Sequence, residues 1–134
     1  IILSLLLPFK DSARTTPPPN ESRTVAAVDV YRMAAILQAE AIGEPWKCQC
    51  LVGQVWVNRG KSNEGFARKK PTQQAIKIAK KILTLGYSHR LNYFYNPATA
   101  TDFEFLEWSK KFKKVRCGKQ LFFSDAKSKK DSTR

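Results

Sequence analysis

The stretch Gln38-Ala39-Glu40-Ala41-Ile42-Gly43-Glu44-Pro45 ends an apolar helical pattern and holds two glutamates four positions apart. Gly43 and Pro45 interrupt the helix between the two carboxylates, because glycine is typical of helix ends and the residue before a proline avoids helical geometry. Glu40 lies among alanine, leucine and isoleucine, and burial among such side chains raises the pKa of a carboxyl group. A general acid near neutral pH needs a raised pKa, so Glu40 is the candidate catalytic acid.

Three helices are predicted upstream of Gly86, at about residues 29–42, 45–58 and 72–85. Each carries apolar residues at helical spacing, and Asp29 is expected to be the N-cap of the first helix. Pro45 is compatible with the first turn of the second helix, and Gly86 with the end of the third. The lysines of the third helix, at positions 77, 80 and 81, are expected to form a solvated face.

After Gly86 the sequence becomes rich in aromatic residues, and two strands are predicted at 91–95 and 119–123. Asn96 and Pro97 indicate a turn between them, and Asp102 is expected to cap a short helix. The tryptophans are assigned to core packing in preference to a sugar-binding groove. A helical body with a small β lobe follows, which is an α+β fold.

The two ends of the chain differ in composition from its centre. Residues 1–9 are apolar but too few to span a bilayer, and they are interpreted as the remnant of a signal peptide or membrane anchor, or as an unrelated fragment. Residues 10–23 are predicted to be a proline-rich linker, and residues 126–134 a basic disordered tail. The folded domain is therefore assigned to residues 24–125.

The formal net charge of +13 favours a polyanionic partner such as nucleic acid, an acidic membrane or an anionic cell wall. The cysteines at 48, 50 and 117 lack metal-binding spacing, so no metal and no cofactor is predicted. They are interpreted as buried thiols, and a Cys48–Cys50 bridge is not expected because the two residues point to different helix faces. The lone His89 is taken as non-catalytic.

Four segments, in this order, resemble motifs of the SleB-type cell-wall hydrolases, which include spore-cortex-lytic enzymes and phage lysins: 39–45 (AEAIGEP), 57–59 (VNR), 93–101 (YFYNPATAT) and 117–123 (CGKQLFF). The resemblance implies a lysozyme-like fold and cleavage of the β-1,4 bond between N-acetylmuramic acid and N-acetylglucosamine by a lytic transglycosylase. It implies Glu40 as the catalytic residue, with no cofactor. It also implies a monomer in the cell envelope or outside the cell, with glycan strands and anionic wall polymers, not specific nucleic acid, as partners.

The chain departs from the family pattern in three places. Ile42 takes the place of the usual arginine, and Gln120 that of the usual histidine. Residues 60–71 replace a longer stretch whose Gln-Phe-Ser motif lines the cleft. A reduced cleft wall is therefore expected, and a non-catalytic relative that binds the cell wall remains an alternative.

Glu44, Tyr95 and Asn96 are predicted to bind substrate, through a sugar ring stacked on the tyrosine and an N-acetyl group bonded to the asparagine. Their alternatives are structural: a carboxylate near the start of the next helix for Glu44, strand packing for Tyr95 and turn formation for Asn96. A single carboxylate suits transglycosylation, since the N-acetyl group of the substrate can stabilise the positive sugar centre, whereas most glycosidases use two carboxylates. A basic nucleic-acid-binding module is the other alternative, although no helix-turn-helix, zinc-finger or RNP-type pattern is present.

Overall fold

The computed structural model describes residues 25–86 and 90–125, which form four helices and three strands. In chain order these are α1 (Ala27–Glu40), α2 (Trp46–Asn58), α3 (Gln73–Leu85), β1 (Tyr93–Tyr95), α4 (Phe103–Ser109), β2 (Val115–Cys117) and β3 (Gln120–Phe123). The segments predicted at 1–9, 10–23 and 126–134, and His89, lie outside the described residues. None of the helices in the described ranges is long and apolar enough to cross a membrane.

The three predicted helices are confirmed, and their ends follow from local chemistry. The Thr72 hydroxyl accepts from the Ala75 N–H over 3.2 Å and caps α3, while Pro45 precedes the first residue of α2. The prediction that Asp29 caps α1 is wrong, because Ala26 is the N-cap and Asp29 lies within the first turn. From there its carboxylate forms a 2.9 Å ion pair with Lys61, just beyond the end of α2.

The core lies between α1, α2 and α3, whose facing side chains are almost completely buried. Gly53 permits this close approach, since an added Cβ there would come within 3.0 Å of the Met33 sulfur on α1 and 3.2 Å of Ile82 on α3. On these three helices the largest buried side chains are Met33, Ile36, Leu37, Val52, Val55, Trp56 and Ile82. Close packing of this kind holds the C-terminal end of α1, and therefore Glu40, in a fixed position.

The three strands form an antiparallel sheet in the order β1-β3-β2, which confirms the α+β fold. Strand β2 was not predicted from the sequence; it forms a hairpin with β3 around Gly118 and Lys119. Rings of the sheet and of α4 pack together beside it, with Trp108 5.6 Å from Phe123 between ring centroids. Trp108 thus contributes to packing, as expected, and fixes α4 against the sheet that carries Tyr95 and Gln120.

The interpretation of the cysteines as thiols is wrong for two of the three, because Cys48 and Cys117 form a disulfide. Their Cα atoms are 5.5 Å apart although 69 positions separate them in sequence, because the hairpin places the end of β2 beside the start of α2. Closing so long a loop stabilises a fold by about 4 kcal/mol in the chain-entropy model. Cys50 remains a buried thiol outside the disulfide, and the predicted absence of a Cys48–Cys50 bridge is confirmed.

Candidate active site

Glu40 is the last residue of α1, and two distant segments of the chain hold it in place. Its Oε2 accepts a hydrogen bond from the main-chain N–H of Ala67 over 3.1 Å. Its main-chain carbonyl, which the helix leaves without a partner, accepts from Gln120 Nε2 over 3.1 Å. Both the carboxylate and the backbone of Glu40 are therefore positioned by contacts outside its own helix.

The partial burial of Glu40 raises the pKa of its carboxyl group above the ordinary value, because removal from water disfavours the charged form. The hydrogen bond from Ala67 acts in the opposite direction and lowers this pKa, since it stabilises the carboxylate. Burial is the larger of the two effects. Glu40 consequently keeps its proton to a higher pH than an exposed glutamate does, which a general acid requires.

Glu40 opens into a cavity of about 200 Å³ between the helical body and the β lobe. The helical side of the wall is formed by Arg59, Gly65 and Phe66, and Gln120 of β3 also lines the cavity. The β side is formed by Phe94, Tyr95, Asn96, Thr99 and Ala100. Among the described residues that line the cavity, Glu40 is the only one with a carboxylate.

The short segment 60–71 supplies part of this wall, although a reduced wall was expected there. Phe66 is buried, and its ring lies 6.0 Å from that of Phe94 between centroids. The Arg59 guanidinium lies 5.4 Å from the Phe66 ring centroid and 4.6 Å from that of Tyr93, so it bridges the segment and β1 by cation–π contacts. Phe66 was not predicted from the sequence because the segment lacks the family's Gln-Phe-Ser motif.

Two of the three predicted substrate-binding residues, Tyr95 and Asn96, line the same cavity as Glu40. The Tyr95 ring packs edge-on against Phe105 at 5.6 Å between centroids, which fixes its orientation. Asn96 Oδ1 accepts from the Ala98 N–H over 2.9 Å and so stabilises the turn after β1. Tyr95 therefore packs within the β lobe and Asn96 stabilises a turn, as their structural alternatives had it, and both residues also line the cavity.

Glu44, the third predicted residue, is not among the residues that line the cavity. Its carboxylate lies against Gly118, where an added Cβ would overlap Glu44 Oε1 and lie 3.5 Å from Cys48 Sγ. Gly118 also has φ +60°, a backbone conformation that favours glycine. Both this conformation and the contact with Glu44 therefore exclude larger residues at position 118. The Gly43 turn, with φ +89°, thus directs the two glutamates to different surroundings.

The two positions that depart from the family pattern have different surroundings. Ile42 is partly exposed and is not among the residues that line the cavity. Gln120 is 5 % exposed, and its Oε1 is buried without a hydrogen-bond partner among the described residues. Gln120 therefore lies at the cavity wall as a positioning group for Glu40. Within residues 25–86 and 90–125, no three metal-ligating side chains cluster.

No family model and no curated protein matches this sequence. Two solved structures do match in fold. One is the catalytic domain of the germination-specific lytic transglycosylase SleB from Bacillus anthracis, 22% identical, with a TM-score of 0.58 over 78% of this chain and 99% of that domain. The other is the catalytic domain of the Bacillus cereus SleB protein, 22% identical, with a TM-score of 0.57 over 82% of this chain and 100% of that domain. The chain therefore has the fold of SleB catalytic domains, as the four sequence motifs implied.

Proposed function

We propose that this protein degrades peptidoglycan as a lytic transglycosylase, with Glu40 as its single general acid and base. The observation that carries the proposal is the cavity in which Glu40, with its raised pKa, is the only carboxylate among the described lining residues. Glycosidases that use water as the nucleophile usually need a second carboxylate to activate that water or to form a covalent intermediate. Similarity of fold to a domain named a lytic transglycosylase supports the same chemistry.

In the proposed reaction, Glu40 donates its proton to the oxygen that links muramic acid C1 to the next sugar. The C1–O bond breaks, and the N-acetyl carbonyl of the muramoyl residue stabilises the positive charge at C1. The carboxylate of Glu40 then accepts the proton of the muramoyl 6-hydroxyl as that oxygen bonds to C1. The product is a 1,6-anhydro sugar, no water is consumed, and Glu40 regains its proton.

Tyr95 and Asn96 are proposed to position the sugar beside Glu40. The Tyr95 ring is fixed by the aromatic cluster of the β lobe, so stacking a sugar on it requires little ordering. Asn96 Oδ1 is engaged in the turn, which leaves its Nδ2 group as the donor for an N-acetyl carbonyl. Since Glu44 lies against Gly118 and outside the cavity lining, a substrate-binding role for Glu44 would require a glycan strand that extends beyond the cavity.

An extracytoplasmic site of action is part of the proposal. The Cys48–Cys117 disulfide supports it, because disulfides persist in oxidising compartments and are rare in the cytosol. Disulfide formation and access to the cell wall thus require the same location, either the cell envelope or the exterior.

Digestion of purified sacculi followed by mass spectrometry tests the reaction. The wild type is expected to release 1,6-anhydromuropeptides, and Glu40→Gln is expected to lose on the order of 10²–10⁴-fold in rate because it cannot transfer a proton. Glu64→Gln is the matched control, since Glu64 is exposed and does not line the cavity. Hydrated reducing ends would exclude transglycosylation. Binding to sacculi without any product would favour the non-catalytic alternative, and retarded migration of random DNA without sacculus binding would favour the nucleic-acid alternative.

A further inference from the structure

A second, larger depression of about 880 Å³ shares Phe66 with the Glu40 cavity, and we name it the basic groove. Four cationic side chains line it, Arg32 from α1 and Arg68, Lys69 and Lys70 from the segment that precedes α3. Tyr31, Ala35 and Phe66 add apolar surface between the charges. The volume falls within the range of about 300–1,000 Å³ that is usual for ligand sites.

Within residues 25–86 and 90–125, no carboxylate lines the basic groove beside its four cations. The ion pairs found among the described residues involve Lys61 and Lys110 instead. Four positive charges around one depression attract an anion, and arginine in particular binds carboxylates through two parallel hydrogen bonds.

Hydrogen bonds to α1 fix the segment that carries three of these cations. The Lys69 N–H donates to the Ala35 carbonyl over 3.0 Å, which ties the segment to α1 between two residues that line the groove. The Thr72 N–H and hydroxyl both donate to Gln38 Oε1 over 3.0 Å and fix the segment where α3 begins. The basic groove therefore exists before any ligand binds, and a ligand need not order its backbone.

The basic groove and the Glu40 cavity adjoin each other at Phe66 and Ala67. Phe66 lines both depressions, and Ala67 lines the groove while its N–H binds Glu40 Oε2. A substituent on a sugar bound beside Glu40 therefore needs to pass only the Phe66–Ala67 backbone to reach the cations. An extended peptide advances about 3.3–3.6 Å per residue, so a few residues are sufficient.

We propose that the basic groove binds the peptide stem attached to the muramoyl residue of the substrate, through the carboxylates of that stem. This proposal rests on the proposed function, because it assumes that a muramoyl residue binds beside Glu40. Alternation of cations with Tyr31, Ala35 and Phe66 suits a short peptide of small apolar residues and carboxylates. A phosphodiester polymer would bind mainly through its charges, and the apolar side chains between the cations favour the peptide over it.

Titration of the full chain carrying Glu40→Gln measures the binding directly. The ligands are a disaccharide-tetrapeptide muropeptide, the same muropeptide with its carboxylates amidated, and the disaccharide without peptide. The unmodified muropeptide is expected to bind tightest, with an affinity that falls as salt is added. The triple variant Arg68→Gln/Lys69→Gln/Lys70→Gln is expected to weaken this binding about tenfold, as the loss of three exposed charge contacts implies.

The matched control is Lys111→Gln/Lys113→Gln/Lys119→Gln, which removes the same charge from exposed positions of the β lobe. Equal affinity for all three ligands, or an equal loss from the control variant, would overturn the proposal. A glycerol-phosphate oligomer that displaces the muropeptide at lower concentration would also overturn it and assign the groove to phosphodiester polymers.

Failure of the proposed function gives a different result from failure of the groove proposal. Peptide-dependent affinity without 1,6-anhydro product from the wild type would leave the groove assigned and exclude catalysis. Product formed at equal rates from intact and peptide-stripped glycan strands, with no peptide-dependent affinity, would exclude the groove assignment alone.

Discussion

The main-chain N–H of Ala67 donates to Glu40 Oε2 over 3.1 Å, across 27 positions of sequence. This bond lowers the pKa of Glu40 while burial raises it by more, so the protonation of the carboxyl group is set by two opposing contributions. The side chain of Ala67 is exposed, so a substitution there removes no core side chain.

Ala67→Pro is expected to move the alkaline limb of the pH–rate profile to higher pH. Proline has no N–H, so the substitution removes the contribution that lowers the pKa of Glu40 and leaves the effect of burial. The acid form of Glu40 then persists to higher pH, and the activity that depends on it does so too. Rates on sacculi across a pH series check this, with Ala67→Gly as a control that keeps the N–H. Circular dichroism would first show that both variants are folded. If their alkaline limbs then coincided, the Ala67 N–H would not control the pKa of Glu40.

Glu40→Gln is expected to raise the melting temperature at neutral pH. The pKa of Glu40 is raised in the folded state, so its contribution to stability is full below the unfolded-state pKa and is lost as pH rises through the folded-state pKa. Above that point a partly buried carboxylate destabilises the fold, and a neutral glutamine does not. Thermal unfolding of both proteins across pH 3–8 should give a difference that grows with pH. A difference in melting temperature that is equally large at pH 3 would contradict this explanation. Glu64→Gln, at an exposed position, controls for general charge effects.

The double variant Cys48→Ala/Cys117→Ala is expected to lose about 4 kcal/mol of unfolding free energy, because the open chain gains the entropy of a 69-residue loop. Urea unfolding measures the loss, and reductant should lower the stability of the wild type but not of the double variant. Cys50→Ala is the control, since it removes a buried thiol outside the disulfide. Equal responses of the wild type and the double variant to reductant would show that the disulfide does not stabilise the protein.

The helices could be predicted from sequence because their signals are local. Apolar spacing predicted the buried faces, and Thr72 and Asp102 each cap a helix through a bond to a residue three positions on. Strand β2 was missed because its three residues, Val115–Cys117, are too few to give an alternation signal, and they become a strand only by pairing with β3. Gly118 and Lys119 as a two-residue hairpin loop were the signal that could have revealed it.

The candidate site could be predicted only in part, because only some of its residues lie in segments with recognisable motifs. Glu40, Tyr95 and Asn96 belong to segments with motif resemblance, and they line one cavity. Phe66 and the Ala67 bond lie in a segment without a motif, and only the packing of that segment against α1 and β1 reveals them. The disulfide could not be deduced, because three cysteines allow three pairings and the hairpin register decides among them.

The contact between Gln120 Nε2 and the Glu40 carbonyl joins positions 80 residues apart, and it has a consequence for the order of assembly. During synthesis α1 emerges early, yet Gln120, and with it the strand that lines the cavity, follows only near the end of the described chain. Cys117, which closes the disulfide, arrives at almost the same time. Contacts of such long range form late and slow the folding of a domain. A nascent or truncated chain that ends before residue 117 would therefore carry Glu40 on a helix but lack the contacts that fix its backbone, and the candidate site would remain unassembled.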